Sequence, residues 1–452
     1  MAGKRVTVAG AALSGIAAAR LLAARGAQVT VSDVRPHVAE AEALKPLGIA
    51  LELGGHQVET FASADLIVLS PGVPVEQPPI AAARDRGVPV IGELELAYRW
   101  LRGRIVAITG TKGKSTTTAL TGRMLATAGF NVAVGGNIGS PLSGQVDAST
   151  PDTVHVVEAS SFQLEQISSF RPWIAVVLNF SPDHLDRHPT MEAYRLAKMR
   201  IFENQLSNDW AVVNADDPIV LDMARHGRAA RRLFARRASL SEGTVVENDW
   251  IVERRAGHSA PLVPLKAIHL LGPHLVDDVM AAATVGAIAG AAPAAMTAAV
   301  ESFKGLEHAM EIVADYEGVR FVNDSKATNV ASALRSIETF ERGLVPIIGG
   351  RFKGGNLGAL RGAVSARAKA VIAIGEARPL VHEALDSVAD VRDAATLQEA
   401  VQTAFELARP NGTVLLAPAC ASFDMFHDFR ERGWAFKEAV AQIVGRNLKI
   451  DA

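Results

Sequence analysis

The chain has 452 residues, a formal net charge of −2 and a hydrophobic content of 49%. That length exceeds one ordinary core, so two or three domains are expected, and the near-neutral charge gives no global electrostatic case for nucleic acid or an anionic membrane as partner. The single cysteine, Cys420, excludes an intrachain disulfide and fits a reducing cytoplasm.

The first segment, 1–98, offers strands at 5–9, 29–32, 66–69 and 88–91 with helical stretches between them, the pattern of a parallel α/β sheet. Lys4 and Arg5 before an apolar stretch mimic a signal peptide. Gly10, Ser14, Gly15, Arg20 and Arg25 interrupt that stretch, however, and a second strand follows, so a β-α-β unit is expected. Its first turn reads Gly10-Ala-Ala-Leu-Ser-Gly15, a G-x-A-x-x-G variant of the dinucleotide fingerprint, and Asp33 ends the second strand where a ribose-binding acid would lie. This is compatible with NAD, with another nucleotide, or with close packing of a helix.

The second segment, 99–303, opens on the most informative stretch. An apolar strand at 105–108 runs into Gly110-Thr-Lys-Gly-Lys-Ser115 and helix-compatible residues. Strand, glycine turn and helix N-terminus form a phosphate cradle, shorter than the full P-loop pattern. Lys114 suits the terminal phosphates, and the Ser115 or Thr116 hydroxyl suits Mg²⁺. Further strands are expected at 132–134, 154–157, 174–178 and 211–213. The last three end in Glu158-Ala-Ser-Ser-Phe-Gln163, Asn179-Phe-Ser-Pro-Asp-His184 and Asn214-Ala-Asp-Asp217, polar groups at the strand ends where α/β sites collect. The basic run 225–237 reads as a solvated surface segment, 239–265 as short strands and turns without assignment, and 281–294 as one alanine-rich helix. In the third segment, 304–452, strands at 344–348, 370–374 and 413–416 alternate with helices. No helical pattern reaches the length of a membrane span.

Glu158 is a carboxylate of the kind a hard cation prefers. Ser181-Pro-Asp-His-Leu-Asp-Arg-His188 holds two carboxylates and two imidazoles. Beside a P-loop, His184 is better read as a second metal position near the γ-phosphate than as part of a zinc site. Asp183 is alternatively a helix cap. From composition alone, Lys198 is a surface helix lysine.

With these motifs in view, the chain resembles the Mur ligase family over nearly its whole length, and within it the D-glutamate-adding members. The carriers are Ser70-Pro-Gly-Val73, Thr109-Gly-Thr-Lys-Gly-Lys-Ser115, Gly135-Gly-Asn-Ile-Gly139, Glu158-Ala-Ser-Ser-Phe-Gln-Leu-Glu165 and Leu178-Asn-Phe-Ser-Pro-Asp-His-Leu-Asp-Arg-His188. Lys198, Asn323-Asp-Ser-Lys-Ala-Thr-Asn329, Gly349-Gly-Arg-Phe-Lys353 and Pro418-Ala-Cys-Ala-Ser-Phe-Asp424 complete the set.

The resemblance implies three α/β domains: a Rossmann-like domain at 1–98 for the UDP substrate, a central P-loop ATPase-type domain at 99–303, and a Rossmann-like domain at 304–452 that closes over the amino acid. It implies a ligase that uses ATP to join D-glutamate to UDP-N-acetylmuramoyl-L-alanine through an acyl phosphate, as a cytoplasmic monomer. Lys114, Glu158, His184 and Lys198 would be catalytic. Gly110, Thr111, Lys112, Gly113, Lys114, Ser115, Thr116, Asp278, Asp324 and Lys326 would bind ATP. Ser14, Asp33, Arg35, Gly72, Asn137, Ser160 and His184 would bind the UDP substrate, and Thr328, Lys353, Ser422 and Phe429 the glutamate. Two Mg²⁺ ions would rest on Ser115, Glu158, His184 and a carbamylated Lys198. Ser422 is equally readable as a helix cap. The chain departs from the family at Lys112, where asparagine is usual; at Leu275 and Asp278, where asparagines are; at Ala309, for arginine; and at Ala12, for glycine. An NAD-dependent dehydrogenase would rest on the first turn and Asp33 alone and leaves the P-loop unexplained. A non-enzymatic nucleotide-binding regulator is favoured only by the departures at Leu275, Asp278 and Ala309.

Overall fold

A computed structural model describes residues 1–183, 187–269 and 274–445. Two compact units divide the chain, one of residues 1–269 and 273–302, the other of 270–272 and 303–452.

The first unit carries two sheets. One runs through β1 (Arg5–Ala9), β2 (Gln28–Asp33), β3 (Ala50–Leu53), β4 (Leu66–Leu69) and β5 (Val90–Gly92) in the parallel order β3-β2-β1-β4-β5. The other comprises β6 (Arg104–Thr109), β7 (Asn131–Gly136), β8 (Thr153–Glu158), β9 (Ile174–Val177), β10 (Trp210–Asn214), β11 (Ala230–Ala235), β12 (Gly243–Glu247), β13 (Trp250–Arg255) and β14 (His258–Pro264). Its order is β14-β13-β12-β11-β10-β9-β6-β8-β7, parallel from β7 to β12 and antiparallel beyond. Ile105 to Ile108 and Ile174 to Val177 are fully buried, as strands covered on both faces must be. The two sheets are joined through Glu95, fully buried, whose carboxylate accepts the N–H groups of Ser168, Ser169 and Phe170 at 2.9 Å each.

The second unit carries β15 (Glu311–Tyr316), β16 (Val319–Asn323), β17 (Leu344–Gly349), β18 (Val371–Ile374), β19 (Val391–Asp393) and β20 (Thr413–Ala419), ordered β15-β16-β20-β17-β18-β19. Only β15 is antiparallel to its neighbour. Three α/β sheets with mostly parallel strands are thus present. No helix among the described residues is long and apolar enough to cross a membrane.

Several local expectations are corrected. The basic run contains β11, with Phe234 and Ala235 buried, although Arg231, Arg236 and Arg237 are exposed. The stretch 239–265 does consist of short strands and turns, as read, and they form a meander of β12 to β14. The alanine-rich helix is two, His274–Ala289 and Pro293–Glu301, because Gly290 takes φ 86° and Pro293 starts a new helix. Strands β3, β15, β16 and β19 are additional.

Candidate active site

β6 lies between β8 and β9, so the carboxyl ends of three neighbouring strands meet. The phosphate loop leaves β6 there. Gly113 has φ 80°, a left-handed value that favours glycine, and a Cβ on it would lie 2.1 Å from Asp278 Oδ1. Asn179, just beyond β9, braces the loop: it accepts from Thr111 N–H (3.0 Å) through its carbonyl and from Lys112 N–H (2.8 Å) through Oδ1, and returns Nδ2–H to Lys112 O at 3.0 Å. The Lys114–Thr127 helix begins at the loop and aims its positive end there. Lys114 Nζ donates to Thr111 O at 2.9 Å, while Ser115 and Thr116 stand half-buried in the same turn.

Glu158 ends β8 and is 2% exposed. Its Oε2 accepts from Ser115 Oγ at 2.7 Å and its Oε1 from Asn137 Nδ2 at 2.8 Å, and it forms no ion pair among the described residues. Ser160 follows and caps the short Ser161–Leu164 helix in a capping box with Gln163.

Lys198 occupies the last turn of the Met191–Met199 helix, which Thr190 caps. It is 1% exposed, against the surface lysine that composition suggests. Its Nζ donates to Gly110 O at 2.8 Å and lies 4.6 Å above the ring of Tyr194, one turn earlier on the same face. Tyr194 OH is 3.4 Å from Thr111 Oγ1. Burial, aided by repulsion from Lys114, pulls the Lys198 amine down to about 7.

His184 lies outside the described residues, as do Leu185 and Asp186. His188 is buried, with Nε2 2.9 Å from Ser161 Oγ and Nδ1 3.3 Å from Glu165 Oε1. No group of three His, Cys, Asp or Glu gathers as a metal site among the described residues.

Beside the loop opens a cavity of about 430 Å³, lined by Lys112, Gly113, Phe180, Asn214, Ile219 and Asp278 among others. Asp278 is 4% exposed, its Oδ2 has no hydrogen-bond partner among the described residues, and burial raises its carboxyl well above the usual range. Leu275 is also buried and adds no hydrogen bond through its side chain.

In the first sheet, a Cβ on Gly15 would lie 1.8 Å from Gly10 O, so the Leu13–Ala24 helix packs directly on its own turn. Asp33 is saturated by protein donors: Arg35 Nε and Nη2 at 2.9 and 2.8 Å, Arg35 N–H at 2.9 Å and Ala11 N–H at 2.7 Å. The Arg35 fork, with these N–H groups, holds its carboxyl far below the usual range despite burial. Ser14 is half-buried and Gly72 exposed.

In the second unit, Asp324 is buried after β16, with Oδ2 bonded by Ser336 Oγ and Oδ1 accepting from Met310 N–H at 3.2 Å. Burial raises its carboxyl. Lys326 and Lys353 are exposed, Thr328 half-buried and Ser422 buried. Ser422 caps no helix: Asp428 caps Phe429–Val444.

Family models match in chain order as Mur ligase MurD-like, N-terminal domain (4–92), Mur ligase middle domain (108–286) and Mur ligase, glutamate ligase domain (308–420). A UDP-N-acetylmuramoylalanine--D-glutamate ligase of Koribacter versatilis is 44% identical over 99% of both chains. The chain belongs to the Mur ligase family. A second relative of the same description, from Acidobacterium capsulatum, is 46% identical over 97% of this chain and 96% of its own. Among solved structures, the Mur ligase fold recurs in the UDP-N-acetylmuramate-alanine ligase MurC of Thermotoga maritima (TM-score 0.59, 19% identity, 97% and 99% coverage). It recurs again in a pseudomurein peptide ligase type C of Methanothermus fervidus (TM-score 0.57, 20% identity, 98% and 100% coverage).

Motif reading of this Mur ligase chain missed Tyr194 and Asn179 as supports of the loop. The spacing of Tyr194 and Lys198, four apart on one helix, was the available signal. It also missed Arg432, two of whose acceptors belong to Ser325, 107 residues away.

Proposed function

We propose that the chain is an ATP-dependent ligase that joins D-glutamate to UDP-N-acetylmuramoyl-L-alanine in peptidoglycan precursor synthesis, as a monomer in the cytoplasm. The observation that carries the reading is the convergence of Lys114, Ser115, Glu158 and Lys198 at adjoining strand ends. It stands in a chain 44–46% identical, nearly end to end, to relatives bearing that name.

In this reading the loop N–H groups and Lys114 hold the ATP phosphates, and the adenine enters the cavity beside Asp278. Asp324 and Lys326 would also serve the nucleotide. Ser14, Gly72, Asn137 and Ser160 meet the UDP substrate, with Asp33 fixing Arg35 and the first turn. The alanine carboxylate attacks the γ-phosphorus, the bond to ADP breaks, and an acyl phosphate results. The glutamate amine, having lost a proton, attacks the carbonyl carbon, and the bond to phosphate breaks. Positioning and charge dispersal do the catalysis.

Glu158, a buried carboxylate without an ion pair among the described residues, and the Ser115 hydroxyl suit a hard cation. Ser115, Glu158, His184 and a carbamylated Lys198 would hold two Mg²⁺ ions, which when bound neutralise phosphate charge. An amine held at about 7 is substantially unprotonated at neutral pH, the form that adds CO₂. The resulting carbamate converts a repelling cation into oxygen ligands. Thr328, Lys353, Ser422 and the backbone at Phe429 would take the two carboxylates of glutamate.

The test is phosphate release from ATP with UDP-N-acetylmuramoyl-L-alanine, with and without D-glutamate, and with L-glutamate, lysine or diaminopimelate in its place. Release should need both substrates and prefer D-glutamate. Nucleotide binding without any release would favour a regulator instead.

A further inference from the structure

Arg432 is 1% exposed, among the largest fully buried side chains. It sits in the first turn of the Phe429–Val444 helix. Its Nε donates to Ser325 Oγ at 3.0 Å, one terminal nitrogen to Ser325 O at 3.0 Å, and the other to Cys420 O at 3.2 Å. Ser325 Oγ in turn donates to Phe429 O at 2.7 Å. A Cβ on Gly350 would lie 3.3 Å from Arg432 Nη1, so the loop after β17 also closes on this group.

The guanidinium therefore touches the loops leaving three neighbouring strands, β16, β20 and β17. These loops carry Thr328, Ser422 and Lys353, and Phe429 lies on the helix of Arg432 itself. Three neutral oxygens receive the guanidinium, and it forms no ion pair among the described residues. Asp424 is the acid that bears on it from a distance, with Oδ2 taken by the Glu376 N–H at 2.9 Å. Burial lowers the Arg432 pKa to about 10, which leaves it charged at neutral pH. A buried charge held in no ion pair, with its nearest acid at a distance, is costly, and an anionic ligand nearby would relieve that cost.

We propose that Arg432 is a positioning residue for the amino-acid substrate: it ties three loops into one pocket, and its charge, held in no ion pair among the described residues, makes that pocket prefer an anionic side chain. The proposal rests on the assignment of this pocket to glutamate. A clamp that is only structural would bind the same oxygens without affecting discrimination between glutamate and glutamine.

The experiment is steady-state phosphate release by the full chain and by Arg432→Met and Arg432→Lys. Arg432→Met should raise the KM for D-glutamate about tenfold or more, leave those for ATP and the UDP substrate within about twofold, and cut the D-glutamate over D-glutamine preference about tenfold. Arg432→Lys keeps the charge but not the fork, so it should restore most of the preference and only part of the KM. Unchanged D-glutamate KM in either variant, or all three constants rising together, overturns the proposal. Should Arg432→Met not fold, Arg432→Lys decides by the same KM split. Wild-type release that ignores D-glutamate would sink the parent reading, whereas D-glutamate-dependent release with unmoved variants sinks only the role of Arg432.

Discussion

Replacing Lys198 by methionine should kill turnover and stabilise the apo protein, because the lysine is held where its charge is unwelcome. Holding the amine at about 7 instead of 10.5 costs the folded chain up to about 5 kcal/mol when both states are protonated, since 2.303RT is about 1.4 kcal/mol. The hydrogen bond to Gly110 O and the contact with the Tyr194 ring offset about 2–3 kcal/mol of this. A net gain of about 2 kcal/mol at pH 6 follows for Lys198→Met. The sign with pH is fixed by a lowered folded value: the unfolded chain keeps its proton up to 10.5, so the penalty is full below about 7 and vanishes above 10.5. Between pH 6 and pH 9 the advantage of the variant should therefore shrink by about 2–3 kcal/mol. The measurement is denaturant unfolding of both proteins in CO₂-depleted buffer with a chelator, beside the phosphate assay. A variant that is destabilised at pH 6, or an advantage that does not change with pH, would refute the argument.

Lys114→Ala should abolish phosphate release while calorimetry still finds the UDP substrate bound; parallel loss of both would mean the two nucleotide sites are misassigned. Asp278→Asn should stabilise the protein by about 1–3 kcal/mol at pH 7 by removing a buried carboxyl whose Oδ2 has no partner among the described residues. Burial raises that carboxyl, so wild-type stability is lost as pH rises above its unfolded value, and the gain should fade toward pH 3 in denaturant titrations. Gly113→Ala meets both a φ of 80° and a Cβ 2.1 Å from Asp278 Oδ1, so ATP affinity by calorimetry should collapse and stability fall by at least about 2 kcal/mol. Lys353→Ala, at an exposed position, should leave stability within about 0.5 kcal/mol. It should nevertheless raise the KM for D-glutamate at least about tenfold, with the KM for ATP unmoved.

The phosphate loop was legible because an apolar strand followed by Gly-Lys-Ser has few other uses, and Glu158 because a polar residue ends a buried strand. Strand β11 was not, since its arginines read as a solvated run, and β12 to β14 were legible only as short strands and turns, since prolines and tight turns hide the alternation of an antiparallel meander. The division of the alanine-rich helix was readable in principle: Gly290 and Pro293 mark an end and a start. Lys198 and Arg432 were beyond periodicity. The acceptor of Lys198 is Gly110, 88 residues away, and two acceptors of Arg432 belong to Ser325, 107 residues away. No local window contains both members of such a pair.

Partner accounting separates those residues from the scaffold. Glu95 is buried too, yet its carboxylate takes three N–H groups, the Ser169 hydroxyl at 2.6 Å and Arg99 at 3.1 Å. Asp209 is fixed by Arg171 at 2.7 Å and the Leu206 N–H. Glu158, Lys198, Asp278 and Arg432 are equally buried and have no ion pair among the described residues. Natural chains retain such costly arrangements chiefly where a ligand completes them. Three of the four surround the phosphate loop, and the fourth lies under the pocket assigned to a dicarboxylate. Glu93 shares the pattern, with Oε2 unpartnered, and nothing around it points to a ligand. Lack of an ion pair alone is therefore insufficient. What marks the other four is that each touches the phosphate loop or the loops that carry Thr328, Lys353 and Ser422.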